Sequence, residues 1–168
     1  MTVCTRMSIA LALGALAAIV PVRGAQAQIG IAVGTHAPGA AVETLDGKPV
    51  NLSKFIGTKP VMMTFWATWC TNCKELEPQF LSLVKQYSPR VTFIDVAVSV
   101  NQSPDRVKRY AEKYHFTHQM LYDVNGDAVG AYDVPATSYV VLVDRTGKVV
   151  YTGLGGDQNL AAALKKVL

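Results

Sequence analysis

The chain has 168 residues, half of them hydrophobic and 17% charged, with a formal net charge of +4. That size and balance fit one packed domain and exclude a disordered chain or a two-domain protein. Nucleic acid is excluded as a partner too: beyond residue 27 only 14 Lys and Arg face 12 Asp and Glu, and no basic stripe with interleaved aromatics occurs.

Residues 1–27 read as an export signal. Arg6 precedes the uncharged run IALALGALAAIV at 9–20, and Ala25 and Ala27 stand in small-x-small spacing, which puts cleavage near Ala27-Gln28. The apolar run is 12 residues long, too short to cross a hydrocarbon core of roughly 30 Å as a helix. Cys4 precedes the run and leaves with it. The mature part, 28–168, is expected to be one domain in the periplasm or otherwise exported. Its two cysteines, Cys70 and Cys73, then lie in a disulfide-permissive setting.

An extended lead-in through Ala40 comes first. Val42 and Leu45, then Val50 and Leu52, alternate around Asp46-Gly47 and predict a hairpin. VMMTFW at 61–66 is an apolar run suited to a strand buried on both faces. Leu76, Phe80, Leu83, Val84 and Tyr87 form one face of a helix that follows the cysteines and ends near Ser88-Pro89. VTFIDVAVSV at 91–100 is a second buried strand. Ser103-Pro104 opens a helix to about Tyr114, with proline at its first position. Strand, helix, strand, helix implies parallel strands joined by right-handed crossovers. YVVLVD, RTGK and VVYTG at 139–153 predict a hairpin, and a last helix is expected over 157–168 with Asp157 as its cap.

Cys-x-x-Cys serves three chemistries. A zinc corner needs two more ligands, for which only His36, His115 and His118 are on offer. A structural staple closing a two-residue loop constrains the unfolded chain least of all disulfides. A redox pair accounts for more of the surroundings. A buried strand running into the motif, with a helix starting there, puts Cys70 at the helix N-terminus and Cys73 one turn inside. Unpaired N–H groups and the helix dipole favour a thiolate at that end. Cys70 is therefore expected to attack a partner disulfide and Cys73 to resolve the mixed disulfide.

FWATWCTNCKELEP resembles the active-site segment of the thioredoxin superfamily, and GTHAPGAAVETLDGKPVNLSKFIGTKPVMMTFWATWC is similar to its exported TlpA-like, ResA-like branch. The resemblance covers essentially the whole mature chain. It implies an α/β fold, a thioredoxin-like three-layer sandwich whose mixed central sheet is flanked by helices, with an added N-terminal β-hairpin. It also implies a thiol-disulfide oxidoreductase with a Cys70-Cys73 redox disulfide, Trp66, Trp69, Thr71 and Asn72 as neighbours, and Pro78 as a helix-kinking proline. Exported proteins with disulfides and a membrane dithiol donor are the implied partners. Neither cofactor nor metal is called for, and a monomer is favoured.

Three positions depart from the pattern. Thr64 stands where thioredoxin has a buried Asp, and a hydroxyl is no base near neutral pH. Leu76 replaces a Glu usual in the branch, while Glu75 and Glu77 project about 100° to either side and read as solvated charges. The family's cis-proline is the third. Counting back from Asp144 without a gap puts Ser138 in its place, with Thr137 before it; Val134-Pro135 match only if three residues are inserted. The ungapped register is the expectation, and since a cis bond before Ser costs about 3–4 kcal/mol, the loop must be held by its surroundings or change shape.

Two rival functions use the same cysteines. A peroxiredoxin-like peroxidase wants Pro-x-x-x-Thr-x-x-Cys, whereas MTFWATWC lacks the proline and misplaces Thr68. A copper-handling or scaffold protein is the other, although copper-delivery relatives space their cysteines one residue further apart. His115 and His118 read as a helix end and polar loop, DVNGD at 123–127 as a turn without an EF-hand's terminal Glu, and GLGG at 153–156 as another turn.

Overall fold

The computed structural model describes Met1 and residues 29–168, so the export-signal reading and its cleavage point fall outside the described residues. Seven strands form one sheet in the order β2-β1-β5-β4-β3-β6-β7. The hairpin of β1 (Ala41–Thr44) and β2 (Pro49–Asn51) turns where expected, with Gly47 supplying a φ of 76° that a side chain would resist. β3 (Val61–Trp66) is buried at every residue; it runs parallel to β4 (Thr92–Val98) and antiparallel to β6 (Tyr139–Val143), which pairs with β7 (Val149–Leu154).

Three elements are additions to the expected order, the first a 3-10 turn over Leu52–Phe55 that takes Leu52 out of the hairpin strand. β5 (Gln119–Asp123) lies parallel to β4 and antiparallel to β1, joining the hairpin to the rest of the sheet. α3 (Asp127–Ala131) follows at once, so DVNGD is more than a turn. Asp123 is fully buried, and its carboxylate accepts the backbone N–H groups of Ala128 and Val129 at 3.2 and 2.8 Å. This acid caps a helix start reached through the left-handed Gly126.

α1 (Thr71–Tyr87) buries Leu76, Phe80, Leu83 and Val84 as its spacing predicts, with Pro78 inside it. α2 (Pro104–Lys113) is capped by the Ser103 hydroxyl. The last helix differs from expectation: α4 spans only Leu160–Leu164 and is capped by Asn159, whose side chain accepts from Ala162 N–H, rather than by Asp157.

The sheet has two covered faces, which is the three-layer arrangement expected. On one, Met62, Phe93, Val140 and Leu142 pack under α1 and α4, while Trp66, Ala97, Met120 and Tyr122 pack with Val107 and Ala111 of α2. The other buries Val61, Met63, Phe65, Ile94, Val96 and Val141 against Ile31, Leu52, Ala128 and Tyr132. Among the described residues no helix is long and apolar enough to cross a membrane.

Candidate active site

β3 carries the chain into the site and α1 leads it out. Cys70 is the N-cap of α1, its Sγ accepting the Cys73 N–H at 3.1 Å, and it is joined to Cys73 by a disulfide of 2.08 Å. Thr71 and Asn72 are exposed on the first helical turn. Residue exposure and helix position rank the two sulfurs differently: Cys70 is 5% exposed and Cys73 is intermediate, yet Cys70 is the one at the end of the helix where N–H groups lack carbonyl partners.

The preceding loop is braced from the β4–α2 connection. Gln102 accepts the Thr68 N–H at 2.9 Å and donates to the Val98 carbonyl, and its own carbonyl takes the Tyr122 hydroxyl. Trp69 is 40% exposed and ties its indole N–H to the Val100 carbonyl at 2.9 Å. Trp66 is buried between Tyr110 and Phe116. Of the two tryptophans expected as neighbours of the pair, Trp66 belongs to the core and Trp69 to the surface.

A cleft of about 30 Å³ opens on the inner side of Cys73, lined also by Thr64, Trp66, Glu77, Asp95 and Ser138. Several of these depart from the sequence reading. Glu77 is half-buried, and its Oε2 accepts the Tyr110 hydroxyl at 2.9 Å, so it is not a purely solvated charge; Glu75 is exposed as expected. Burial pushes the Glu77 carboxyl above the ordinary range, against the opposing pull of that hydrogen bond. Burial first, and then Glu77 beside it, raise the Tyr110 hydroxyl. His118 lies in the loop before β5 as expected, but its side chain is not solvated: it is 1% exposed, with Nε2 2.7 Å from Asp95 Oδ2. His115 stays at the exposed end of α2, with a left-handed φ of 55°.

Asp95 is the residue that pattern reasoning missed. The signal was present as the single acid in VTFIDVAV, which strand alternation puts on the sheet face carrying Thr64. β3 and β4 pair those two residues directly, and the Thr64 hydroxyl donates to Asp95 Oδ1.

Ser138 lines the same cleft as Cys73. Among the described residues no peptide is cis; Ser138 instead adopts a left-handed φ of 67°. Its N–H donates to the Phe65 carbonyl at 2.9 Å and its hydroxyl to the Gly155 carbonyl at 2.9 Å. Its own carbonyl accepts from Gly155 N–H and from the Gln158 amide. The loop has changed shape, and hydrogen bonds hold the new one. Thr137 is half-buried before it, while Pro135 is exposed and Val134 packs on the opposite-face core, neither lining the cleft. Among the described residues, no group of three or more His, Cys, Asp or Glu side chains is placed to hold a metal ion.

Comparison with known proteins agrees with this geometry. The model of the AhpC/TSA family matches residues 33–152. The chain is 30% identical over 138 residues to the thiol-disulfide oxidoreductase ResA of Bacillus thuringiensis subsp. konkukian, a match covering 80% of this chain and 78% of that one. Against ResA of Bacillus subtilis it is 32% identical over 120 residues, covering 71% and 66%. The crystal structure of the thioredoxin domain of a thiol-disulfide oxidoreductase from Bacteroides vulgatus superposes with a TM-score of 0.70 at 25% identity, over 82% of this chain and 99% of that one.

Proposed function

The chain belongs to the AhpC/TSA family and is a thiol-disulfide oxidoreductase, and we propose that it works as an exported reductase of disulfides in partner proteins. The observation that carries this reading is the placement of Cys70 as N-cap of a 17-residue helix, with Cys73 one turn inside and bonded to it. In the reduced protein the first-turn N–H groups stabilise a Cys70 thiolate. That thiolate attacks one sulfur of the partner's disulfide, forming a mixed disulfide and releasing the other sulfur as a thiolate. Cys73 then attacks Cys70 Sγ, closing the Cys70–Cys73 bond and freeing the partner's second sulfur. Two electrons have moved from the dithiol to the partner.

A membrane dithiol donor would return the pair to its reduced form, and a monomer suffices for both steps. Export rests on the sequence of residues 1–27, and N-terminal sequencing of the exported protein should begin near Gln28. Direction rests on the likeness to the TlpA-like branch. Equilibration with glutathione tests it: a potential near thioredoxin's, about −270 mV, is expected, and a value close to about −120 mV would make the protein an oxidant.

A further inference from the structure

The sheet face under α1 is apolar except at one place. Thr64 and Asp95, partners across β3 and β4, are each 6% exposed. Asp95 takes the Thr64 hydroxyl on Oδ1 and faces His118 Nε2 on Oδ2. The His118 ring is wedged between Phe80 and Phe116, with centroids 5.2 Å away on both sides. Its Nδ1 is buried with no hydrogen-bond partner among the described residues. A ring carrying its proton on Nε2 leaves only a lone pair unbonded there, whereas an imidazolium would bury an unpaired N–H. His118 therefore donates to Asp95, and the carboxylate is held by two donors.

A carboxylate in the middle of a buried sheet is costly to keep, and a hydrophobic residue of similar volume would be cheaper. Asp95 is placed for chemistry, since it lines the same cleft as Cys73. That cleft, about 30 Å³, has room for a bridging water. Glu77 of α1 and the Tyr110 hydroxyl of α2 are the other titratable groups facing Asp95 there, but they are bonded to each other.

We propose that Asp95 accepts the proton of Cys73 across this cleft, with Thr64 and His118 as the positioning residues that aim its carboxylate. The inference rests on Cys73 being the resolving cysteine. In the mixed disulfide, the Cys73 thiol gives its proton to Asp95 through a water. Its thiolate attacks Cys70 Sγ, the Cys70–Cys73 bond forms, and the bond from Cys70 to the partner breaks. The partner's sulfur leaves with the electron pair and takes a proton from solvent. When the dithiol is regenerated, Asp95 returns its proton to Cys73. A carboxylate thus serves the inner cysteine from β4 although β3 offers only Thr64.

The test uses the reduced full chain and 5,5′-dithiobis(2-nitrobenzoate), which releases one coloured thiolate when Cys70 attacks and a second when Cys73 resolves. In the unaltered protein both phases are expected. Asp95→Asn should slow the second phase about 100-fold at pH 7 and make it climb roughly tenfold per pH unit, as hydroxide replaces the lost base. Glu77→Gln should leave the second phase in place. The exchange variant Thr64→Asp with Asp95→Thr moves the carboxylate to the facing strand and should recover most of the rate; it also carries the test if Asp95→Asn does not fold. A second phase unchanged in rate and pH profile in Asp95→Asn overturns the proposal. So does an exchange variant that folds but fails to resolve, or a slow phase produced by Glu77→Gln instead. Loss of the first phase in the unaltered protein would overturn the disulfide-exchange reading itself, and this inference with it.

Discussion

Replacing Ser138 by proline would put there the residue type that the ungapped register expects opposite the cysteines, and here it should be damaging. Ser138 has φ 67°, and its N–H donates to the Phe65 carbonyl at 2.9 Å. Proline fixes φ near −65° and has no N–H, an incompatibility worth about 3 kcal/mol or more in regular structure. The orphaned Phe65 carbonyl and the lost hydroxyl bond to Gly155 each add about 1 kcal/mol. Rotation about φ would also swing the Ser138 carbonyl away from Gly155 N–H and the Gln158 amide. A total loss of about 5 kcal/mol, with a urea dependence of about 2 kcal/mol per molar, moves the unfolding midpoint down by about 2.5 M. Tryptophan fluorescence during urea unfolding of the oxidised protein measures this. Ser138→Gly is the companion: it relieves about 1–2 kcal/mol of left-handed strain and loses one hydroxyl bond of about 1 kcal/mol, so its midpoint should hardly move. A Ser138→Pro midpoint within about 0.3 M of the unaltered protein would refute the claim that this loop is built for a left-handed serine.

Three further variants probe other parts of the molecule. Because burial raises the folded-state Glu77 carboxyl above its unfolded value, the protonated form favours folding, and that stability is lost as pH rises through the folded value. Glu77→Gln should therefore raise the melting temperature at pH 7 and change it little at pH 4; the opposite pattern in parallel melts would contradict the burial argument. Gln158 donates to the Ser138 and Gly155 carbonyls at 3.0 and 2.7 Å and accepts the Tyr151 hydroxyl at 3.1 Å. Gln158→Ala should cost about 2–3 kcal/mol by urea unfolding, and a loss below about 0.5 kcal/mol would mean that water replaces the amide freely. Leu142 is fully buried between β3 and β7; Leu142→Ala should cost about 2–5 kcal/mol, and a smaller value would place it outside the core.

Periodicity carried most of the fold. The run at 61–66 and the i, i+4, i+7 face of α1 name their own partners, because a strand apolar throughout must be central and a one-sided helix must cover it. β5 and α3 escaped for local reasons. QMLYD is five residues long and begins with an exposed polar one, and α3 starts behind an acid whose capping role depends on a carboxylate reaching forward from the strand before it. The last helix was misplaced because Asp157 and Asn159 are both good caps, and only the packing of Leu160, Ala163 and Leu164 under α1 chooses between them.

The site divided along the same line. Cys70 and Cys73 were legible because their chemistry follows from a short, local spacing. Counting along one strand pointed to Ser138, but its left-handed backbone depends on Phe65, Gly155 and Gln158, which come from two other segments, β3 and the β7–α4 loop. Asp95 and His118 were invisible as a pair because 22 residues separate them, and only the pairing of β4 with its neighbours sets Asp95 in the cleft beside Cys73 and His118 next to Asp95. Acids such as Glu77 are misread when helical angle alone is used, since α2 folds over that side of α1 and offers Tyr110.

The central claim is that Cys70 attacks and Cys73 resolves. It is tested by incubating reduced Cys73→Ser and Cys70→Ser proteins, separately, with an excess of a disulfide-bearing protein such as insulin and weighing the products by intact-mass spectrometry. The account predicts a covalent adduct through Cys70 in Cys73→Ser, released by dithiothreitol, and at most a trace in Cys70→Ser. An adduct formed only in Cys70→Ser would reverse the roles of the two sulfurs, and no adduct in either would contradict disulfide exchange as the function of the pair.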